Sequence, residues 1–360
     1  MNSAVLFIDQ NIPHLADTLA ECGRVVRFDG RTLTSELIQK EQCTALFVRS
    51  VTRVNSILLH NTRVQFVGTA TAGTDHIDID YLNSAGIHFE SAAGSNANAV
   101  AEYVLFAMLA WSGRMNYSLR GKQVGIIGYG NVGKRVAEYS RRLGMKVFAN
   151  DPPLSDAGFV FPDWVSYVGI DELCKKSDVI TNHVPLNVNG KYPTVGLLGI
   201  KELQLLKTGG LVVHASRGGV IDEEMLRKEA QKKQLTLAID VWNDEPLVDV
   251  QLANTAMIAT PHIAGYSWNA KLMGARMMAE QFADFYGCRL DFSQWNDTLA
   301  EFLPDICTDE NTIYNHLRDG RQFLHDTEVF LQTLTLPPAE RAIAFDRLRK
   351  QYPKRFESLQ

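Results

Sequence analysis

Three polar residues of complementary chemistry stand in the second half of the chain, each just past an apolar run. Arg217 lies in His214-Ala-Ser-Arg217-Gly-Gly, Glu245 in Asp240-Val-Trp-Asn-Asp-Glu245-Pro, and His262 in Thr260-Pro-His262-Ile-Ala-Gly265. An arginine grips a carboxylate with a two-pronged fork and polarises a neighbouring oxygen. A histidine takes the proton of a hydroxyl as hydride departs, or returns it in reduction. A glutamate beside it orients the imidazole and stabilises its charged form. Together they suit the interconversion of a 2-hydroxy acid and its 2-oxo acid. Taken singly, each is more often one half of a surface ion pair. The set gains meaning because all three end predicted strands, and in open α/β sheets ligands sit beyond the carboxyl ends of strands.

A second motif supplies a redox partner. Gly128-Tyr-Gly130-Asn131-Val132-Gly133 follows the apolar strand at 123–128 and precedes a helical pattern at 134–143. In this arrangement the first glycine permits the tight turn and the second admits a pyrophosphate close to the backbone. The third lets helix and strand pack, with the helix N-terminus facing the phosphate charge. Such a motif is weak by itself. Its context strengthens it, because a second strand at 146–150 ends at Asp151, about 20 residues on. An acid there accepts from the adenosine ribose hydroxyls and repels a 2′-phosphate, which favours NAD over NADP.

These residues need a parallel sheet to position them. Apolar strands at 5–8, 45–48 and 64–69 alternate with helical segments at 12–22 and 33–42. A long apolar helix follows at 97–114, expected to be buried between domains. A second alternating series begins at 123, with strands at 146–150, 179–182, 211–215, 236–241 and 257–259. Alternation of this kind predicts an α/β fold with two Rossmann-like doubly wound domains. A helix at 273–286 is expected to return to the first domain, making it discontinuous: 1–98 with 263–290, around a nucleotide-binding domain at 99–262. From 291 to 360 the pattern turns polar and helical, with a break at Pro337-Pro338, and reads as a small C-terminal α+β module.

Composition excludes several alternatives. A net charge of −5 over 360 residues gives no general attraction to nucleic acid or anionic membrane. No uninterrupted apolar run approaches the ~20 residues of a membrane helix, and the first ten residues show no secretory pattern. The five cysteines, Cys22, Cys43, Cys174, Cys288 and Cys307, have no CxxC spacing. This reads as reduced thiols in a cytoplasm, without disulfides and without a metal site.

With the glycine turn, the Arg-Gly segment, DVxxxEP and the TPHxAG-like segment in place, the chain resembles the D-2-hydroxy acid dehydrogenase family over roughly residues 1–290. The resemblance implies Arg217, Glu245 and His262 as the catalytic set. It also implies Asp240 beside the nicotinamide carboxamide, Val184 and Ala215-Ser216-Arg217 lining the cofactor, and Gly73 and Gly265 bordering substrate and nicotinamide. A homodimer with a cleft between two domains is implied as well.

Members of that family usually end soon after the helix that follows the histidine, whereas this chain continues for some 70 residues. The segments around Arg49-Ser50 and Thr71-Ala-Gly73, His262-Ile-Ala-Gly265-Tyr266 and the terminal FDRLRKQY resemble a branch of the family acting on a phosphorylated four-carbon acid in vitamin B6 synthesis. Such a substrate carries two anionic ends. Arg217 would take the carboxylate, and Arg49 with Ser50 offers a fork and a hydroxyl for the phosphate. Thr71 and Tyr266 would bond the remaining oxygens, and Arg355 or a neighbour in the basic tail would reach the phosphate from the second subunit. Pairing of Arg49 with Asp75 or Asp78 is the structural alternative, as dimerisation alone is for the tail. A phosphoglycerate or hydroxypyruvate dehydrogenase is the competing enzyme reading. An NAD-sensing interaction protein is the competing non-enzyme reading, disfavoured by an intact proton-transfer set.

Overall fold

The computed structural model describes residues 4–292, Trp295 and 308–359. The chain divides into two compact units, Met1–Asn96 with Ser267–Leu299, and Ala97–Tyr266 with Ala300–Gln360. Both are α/β, as the strand and helix alternation requires. The described helices of the tail, expected as a separate module at 291–360, belong to the second unit.

The first unit carries a five-stranded sheet of β1 (Ala4–Asp9), β2 (Gly23–Phe28), β3 (Ala45–Val48), β4 (Phe66–Thr69) and β5 (His88–Ser91). Its order is β2-β1-β3-β4-β5 and every pairing is parallel. β3 and β4 are buried along their whole length, which explains why they read as continuous apolar runs rather than alternating ones. Strand order reverses between β1 and β3, so the loops after Asp9 and Val48 flank a topological switch point. The helix Trp268–Tyr286 covers one face of this sheet, its Phe282 ring 5.4 Å from Phe47 and 5.5 Å from Phe66. Ser267 caps it, its hydroxyl accepting from Ala270 N at 2.9 Å.

The second unit carries seven parallel strands: β6 (Gln123–Ile127), β7 (Lys146–Asn150), β8 (Val165–Tyr167), β9 (Val179–Asn182), β10 (Leu211–His214), β11 (Thr236–Ile239) and β12 (Ile258–Ala259). Their order, β12-β11-β10-β9-β6-β7-β8, reverses between β6 and β9. The apolar helix Ala97–Met115, expected between domains, packs within this unit against helices Asn131–Arg142 and Glu310–Arg321. It is apolar around its circumference because sheet and helices cover it from several sides.

The described tail consists of helices Glu310–Arg321, Phe323–Thr333 and Pro338–Lys350, followed by an extended end. It contains no strand among the described residues, so the expected α+β character narrows to α. A buried ion pair between Arg321 and Glu102 ties it down, with no exposed side-chain surface on either partner. Leu359 N donates to the same Glu102 at 2.7 Å, and so does Ser358 N. The polar groups that made this region look solvated are therefore partly consumed in holding it to the unit.

One expectation is corrected in the first unit. Cys22 and Cys288 form a disulfide with Cα atoms 5.9 Å apart, although 266 positions separate them in sequence. Local spacing rules cannot see a pair that only the return of helix Trp268–Tyr286 to this unit brings together. Cys43 and Cys174 are free and buried; Cys307 lies outside the described residues.

Candidate active site

The loops after β10, β11 and β12 lie side by side because those strands are neighbours in the sheet. Arg217 leaves β10, Glu245 leaves β11 and His262 leaves β12. Glu245 and His262 meet directly: His262 Nδ1 lies 2.8 Å from Glu245 Oε2 and 3.1 Å from Oε1. A carboxylate can only accept, so Nδ1 carries the proton and Nε2 of the neutral ring is left as a base. Burial alone would raise the Glu245 carboxyl. Its hydrogen bond and charge interaction with His262, the Trp242 N–H and the Arg349 charge together hold it below its ordinary value.

His262 occupies the left-handed backbone region at φ 58°, a conformation that costs a non-glycine residue energy unless its surroundings impose it. Asp240 imposes it. Its carboxylate, 1% exposed, accepts from Ile263 N at 2.7 Å and Thr260 Oγ1 at 2.6 Å on one oxygen, and from Ala264 N at 2.9 Å on the other. His262 N adds a bond to Asp240 O at 2.8 Å. Burial pushes the Asp240 carboxyl up, against the opposing pull of His262 and of these donors. The residue implied only as a cofactor neighbour is thus also the clamp of the histidine loop. Gly265 sits inside that clamp, between Ala264 and Tyr266, whose N donates to Ile263 O at 2.8 Å.

Arg217 is joined to the same assembly through the glycine that follows it. A Cβ on Gly218 would stand 1.9 Å from Trp242 O, so only glycine lets the β10 and β11 loops touch. Gly219 N donates to Asn243 Oδ1 at 2.6 Å, and Asn243 N to Glu223 Oε1 at 2.8 Å. Arg217 Nη1 donates to Ser216 O at 2.7 Å. Behind it, Ser216 bonds to Asn182, and Asn182 Nδ2 lies 3.1 Å from His214 Nδ1. Burial drives His214 down to about 3, with the His262 and His183 charges adding to the effect, so it stays neutral beneath the site.

The dinucleotide turn stands at the β6–β9 switch point. Gly128 has φ +88°, and a Cβ there would lie 2.7 Å from His183 O in the loop after β9, with Val184 Cγ1 at 2.9 Å. A Cβ on Gly133 would sit 2.1 Å from Gly128 O, whereas one on Gly130 would meet no atom within 4 Å. The turn is therefore closed on its inner side and open where a ligand would approach. The helix Asn131–Arg142, which includes Asn131 and Val132, begins at Gly130 with no side-chain cap, leaving its first N–H groups available to an anion. Asp151 follows β7 directly; its carboxylate accepts from Tyr129 N at 2.8 Å and Leu154 N at 3.0 Å. A carboxylate has about four acceptor positions, so two remain for ribose hydroxyls. These residues fit NAD, the cofactor of this protein.

In the first unit, Arg49 and Ser50 follow β3, and Thr71 and Gly73 follow the adjacent β4, at one end of the sheet. Arg49 Nε pairs with Asp9 Oδ1 at 3.1 Å. Thr71 Oγ1 lies 2.7 Å from Thr69 Oγ1 and donates to Gly73 O at 3.0 Å. Lys271, which the sequence did not single out, is lowered by desolvation and then by the Arg49 charge. Arg355 does not offer the free phosphate-binding tip expected of it. Its guanidinium is 7% exposed, donating to Asp326 Oδ1 at 2.8 Å, to Tyr352 Oη at 3.0 Å and to Arg321 O.

Comparison with known proteins agrees with this chemistry. Residues 101–264 match the model of the NAD-binding domain of D-isomer specific 2-hydroxyacid dehydrogenases. Among solved structures, a glyoxylate reductase from Paecilomyes thermophila shares the fold with a TM-score of 0.67 at 24% identity, covering 82% of this chain and 100% of that one. A D-lactate dehydrogenase from Aquifex aeolicus, complexed with NAD and lactic acid, gives 0.63 at 24% identity, covering 79% and 95%. Fold and site thus define a D-2-hydroxyacid dehydrogenase. The erythronate-4-phosphate dehydrogenase of Hahella chejuensis is 36% identical over 355 residues, 96% of this chain and 90% of that protein. That of Proteus mirabilis is 36% identical over 359 residues, 98% and 92%. The Escherichia coli O157:H7 protein of the same name is 40% identical over 285 residues, 78% and 73%. The chain belongs to the erythronate-4-phosphate dehydrogenase family.

Proposed function

We propose that this chain oxidises 4-phospho-D-erythronate to 2-oxo-3-hydroxy-4-phosphobutanoate with NAD, in the synthesis of pyridoxal 5′-phosphate. The observation that carries the reading is the Glu245–His262 pair, clamped by Asp240 and joined through Gly218 to the loop that bears Arg217. Arg217 binds the substrate carboxylate and draws electron density from the 2-oxygen. His262 Nε2 accepts the 2-hydroxyl proton as the C2 hydrogen leaves with its electron pair, and Glu245 stabilises the imidazolium that results. NAD, when bound, supplies the hydride acceptor. Gly128, Gly130, Gly133 and the start of helix Asn131–Arg142 hold its pyrophosphate, and Asp151 its ribose. Val184, Ala215, Ser216 and Gly265 line the rest.

The second anionic end of the substrate distinguishes this reading from a general hydroxy acid dehydrogenase. In the first unit, Arg49 with Ser50, Thr71 and Gly73 is our assignment for substrate contact, and the neighbouring Lys271 supports an anion there. Tyr266 is also our assignment for substrate contact. No helix among the described residues is long and apolar enough to cross a membrane. The working form in this reading is a cytoplasmic homodimer.

NADH formation followed at 340 nm tests the assignment, with 4-phosphoerythronate compared against 3-phosphoglycerate and Arg217→Ala as control. Preference for the four-carbon acid, abolished in the variant, is the expected result. Preference for 3-phosphoglycerate would retain the mechanism and overturn the substrate. Silence with both acids despite NAD binding would overturn the enzyme reading.

A further inference from the structure

The last helix of the second unit, Pro338–Lys350, brings an unassigned cation to the catalytic end of the sheet. The Arg349 guanidinium lies 5.9 Å from the Tyr266 ring centroid and 5.8 Å from that of Phe345. Its Nε is buried, with no hydrogen-bond partner among the described residues. Tyr266, four positions beyond His262, is enclosed by the tail on other sides too. Tyr352 packs edge-on at 5.7 Å, and Arg321 Nη2 donates to Tyr266 O at 3.1 Å. The other two tail arginines at this place are engaged elsewhere, Arg321 with Glu102 and Arg355 with Asp326. Arg349 is different: the groups that act on its charge are Tyr266, Glu245 and Asp240, a catalytic carboxylate and its clamp.

We propose that Arg349 is a positioning residue of the dehydrogenase site, holding the Tyr266 side chain and setting a fixed positive charge beside the Glu245–His262 pair. The inference rests on the dehydrogenase reading above and adds a role for the tail within its own chain. An arginine remains charged at every working pH, so its effect is a constant bias on its neighbours. The charged or titratable groups acting on the pair include Asp240 just after β11, His214 at the end of β10, Glu223 at the start of helix Glu223–Lys233, Tyr266 in its own loop, and Arg349 from the last helix. Beyond Arg349, Asp326, Tyr352 and Arg355 satisfy one another, and Arg321 pairs with Glu102. Removing the Arg349 charge leaves the carboxylates less opposed. Protonated His262 is then favoured, and the base form needed for oxidation is reached at higher pH.

The test is the pH profile of kcat/KM for hydroxy acid oxidation in wild type, Arg349→Gln and Arg349→Lys, with NAD affinity measured in parallel by fluorescence titration. In Arg349→Gln the acid limb is expected to move up by roughly half a pH unit, the order of one solvent-screened charge interaction. The KM for the hydroxy acid should rise about tenfold as Tyr266 loosens, at one lost contact's worth of binding, while NAD affinity stays put. Arg349→Lys keeps the charge without the flat stacking surface, so it should restore the acid limb and only part of the KM. A glutamine variant with the wild-type profile overturns the proposal. Equal damage in both variants without movement of the limb also overturns it, because that is the signature of packing alone. A wild type that turns over no 2-hydroxy acid at any pH would instead bring down the dehydrogenase reading, and this inference with it.

Discussion

Replacing Asp240 with asparagine removes one charge and turns one of two acceptor atoms into a donor, at a position 1% exposed. If the amide oxygen stays with Ile263 N and Thr260 Oγ1, both bonds survive in neutral form, each weaker by roughly 1 kcal/mol than its charge-assisted original. The amide nitrogen then faces Ala264 N, 2.9 Å away in the native arrangement. A buried N–H left without an acceptor costs about 1–3 kcal/mol. Relief of the burial cost that raises the Asp240 carboxyl returns part of this. The net expected loss is about 2–4 kcal/mol, which a protein of ordinary stability survives folded.

Activity should suffer beyond that. The bonds to Ile263 N and Ala264 N are what hold the chain just past His262, whose left-handed backbone stores about 1–3 kcal/mol. Once the clamp weakens, the backbone has a reason to relax and carry the imidazole away from Glu245. A misplacement costing about 1.4–2.8 kcal/mol lowers the rate tenfold to a hundredfold. Urea unfolding followed by tryptophan fluorescence and kcat/KM by NADH absorbance measure the two effects on the same preparation. An Asp240→Asn protein with an unchanged unfolding midpoint and kcat within twofold of wild type would refute the clamp.

Glu245→Gln keeps the shape and loses the carboxylate that stabilises charged His262; kcat should fall about 10²–10⁴-fold and the acid limb of kcat/KM should move to lower pH, opposite to Arg349→Gln. Gly133→Ala places a Cβ 2.1 Å from Gly128 O, so the turn must open; NAD affinity in a fluorescence titration should drop at least about tenfold while the unfolding transition remains cooperative. Glu223 is raised from 4.5 to about 7, chiefly by burial. The folded state thus holds its proton more tightly than the unfolded chain. Its contribution to stability is complete below pH 4.5 and is lost as pH rises to about 7, by about 3 kcal/mol at most. The difference in unfolding free energy between wild type and Glu223→Gln should carry that slope. His214 and His183, both lowered to about 3 by burial, act the other way: they should make both proteins lose stability as pH falls below 6.5.

The chemistry was more legible than its supports. Arg217, Glu245 and His262 announce themselves because each sits in a distinctive local segment, and the glycine turn because close backbone contacts at Gly128 and Gly133 demand glycine at fixed spacing. What local pattern could not show was which polar atoms satisfy which. Asp240 reads as a lone acid at a strand end, yet it holds a loop some twenty residues away. Arg349 and Arg355 look alike in a basic run, and tertiary placement alone sends one to Asp326 and the other to Tyr266. The disulfide between Cys22 and Cys288 escaped for the same reason. Strand β2 was missed because its exposure pattern is mixed rather than continuously apolar, and β8 because it is only three residues long.

The three catalytic loops are fastened to one another. Gly218 seats the Arg217 loop on Trp242, Trp242 N donates to Glu245 at 3.0 Å, and Trp242 Nε1 donates to Thr260 O at 3.0 Å. Asp240 then closes the ring onto the residues after His262. The links between loops join adjacent strands, so the order β12-β11-β10 dictates which loops can be linked at all. The pattern also explains why hydrogen-bonding residues flank the catalytic ones so closely in sequence: a loop only a few residues long must carry both its reactive group and the group that fixes its neighbour. Changes to Asp240, Trp242 and Gly218 therefore act on a shared object, and their effects on catalysis cannot be expected to add as independent sites do.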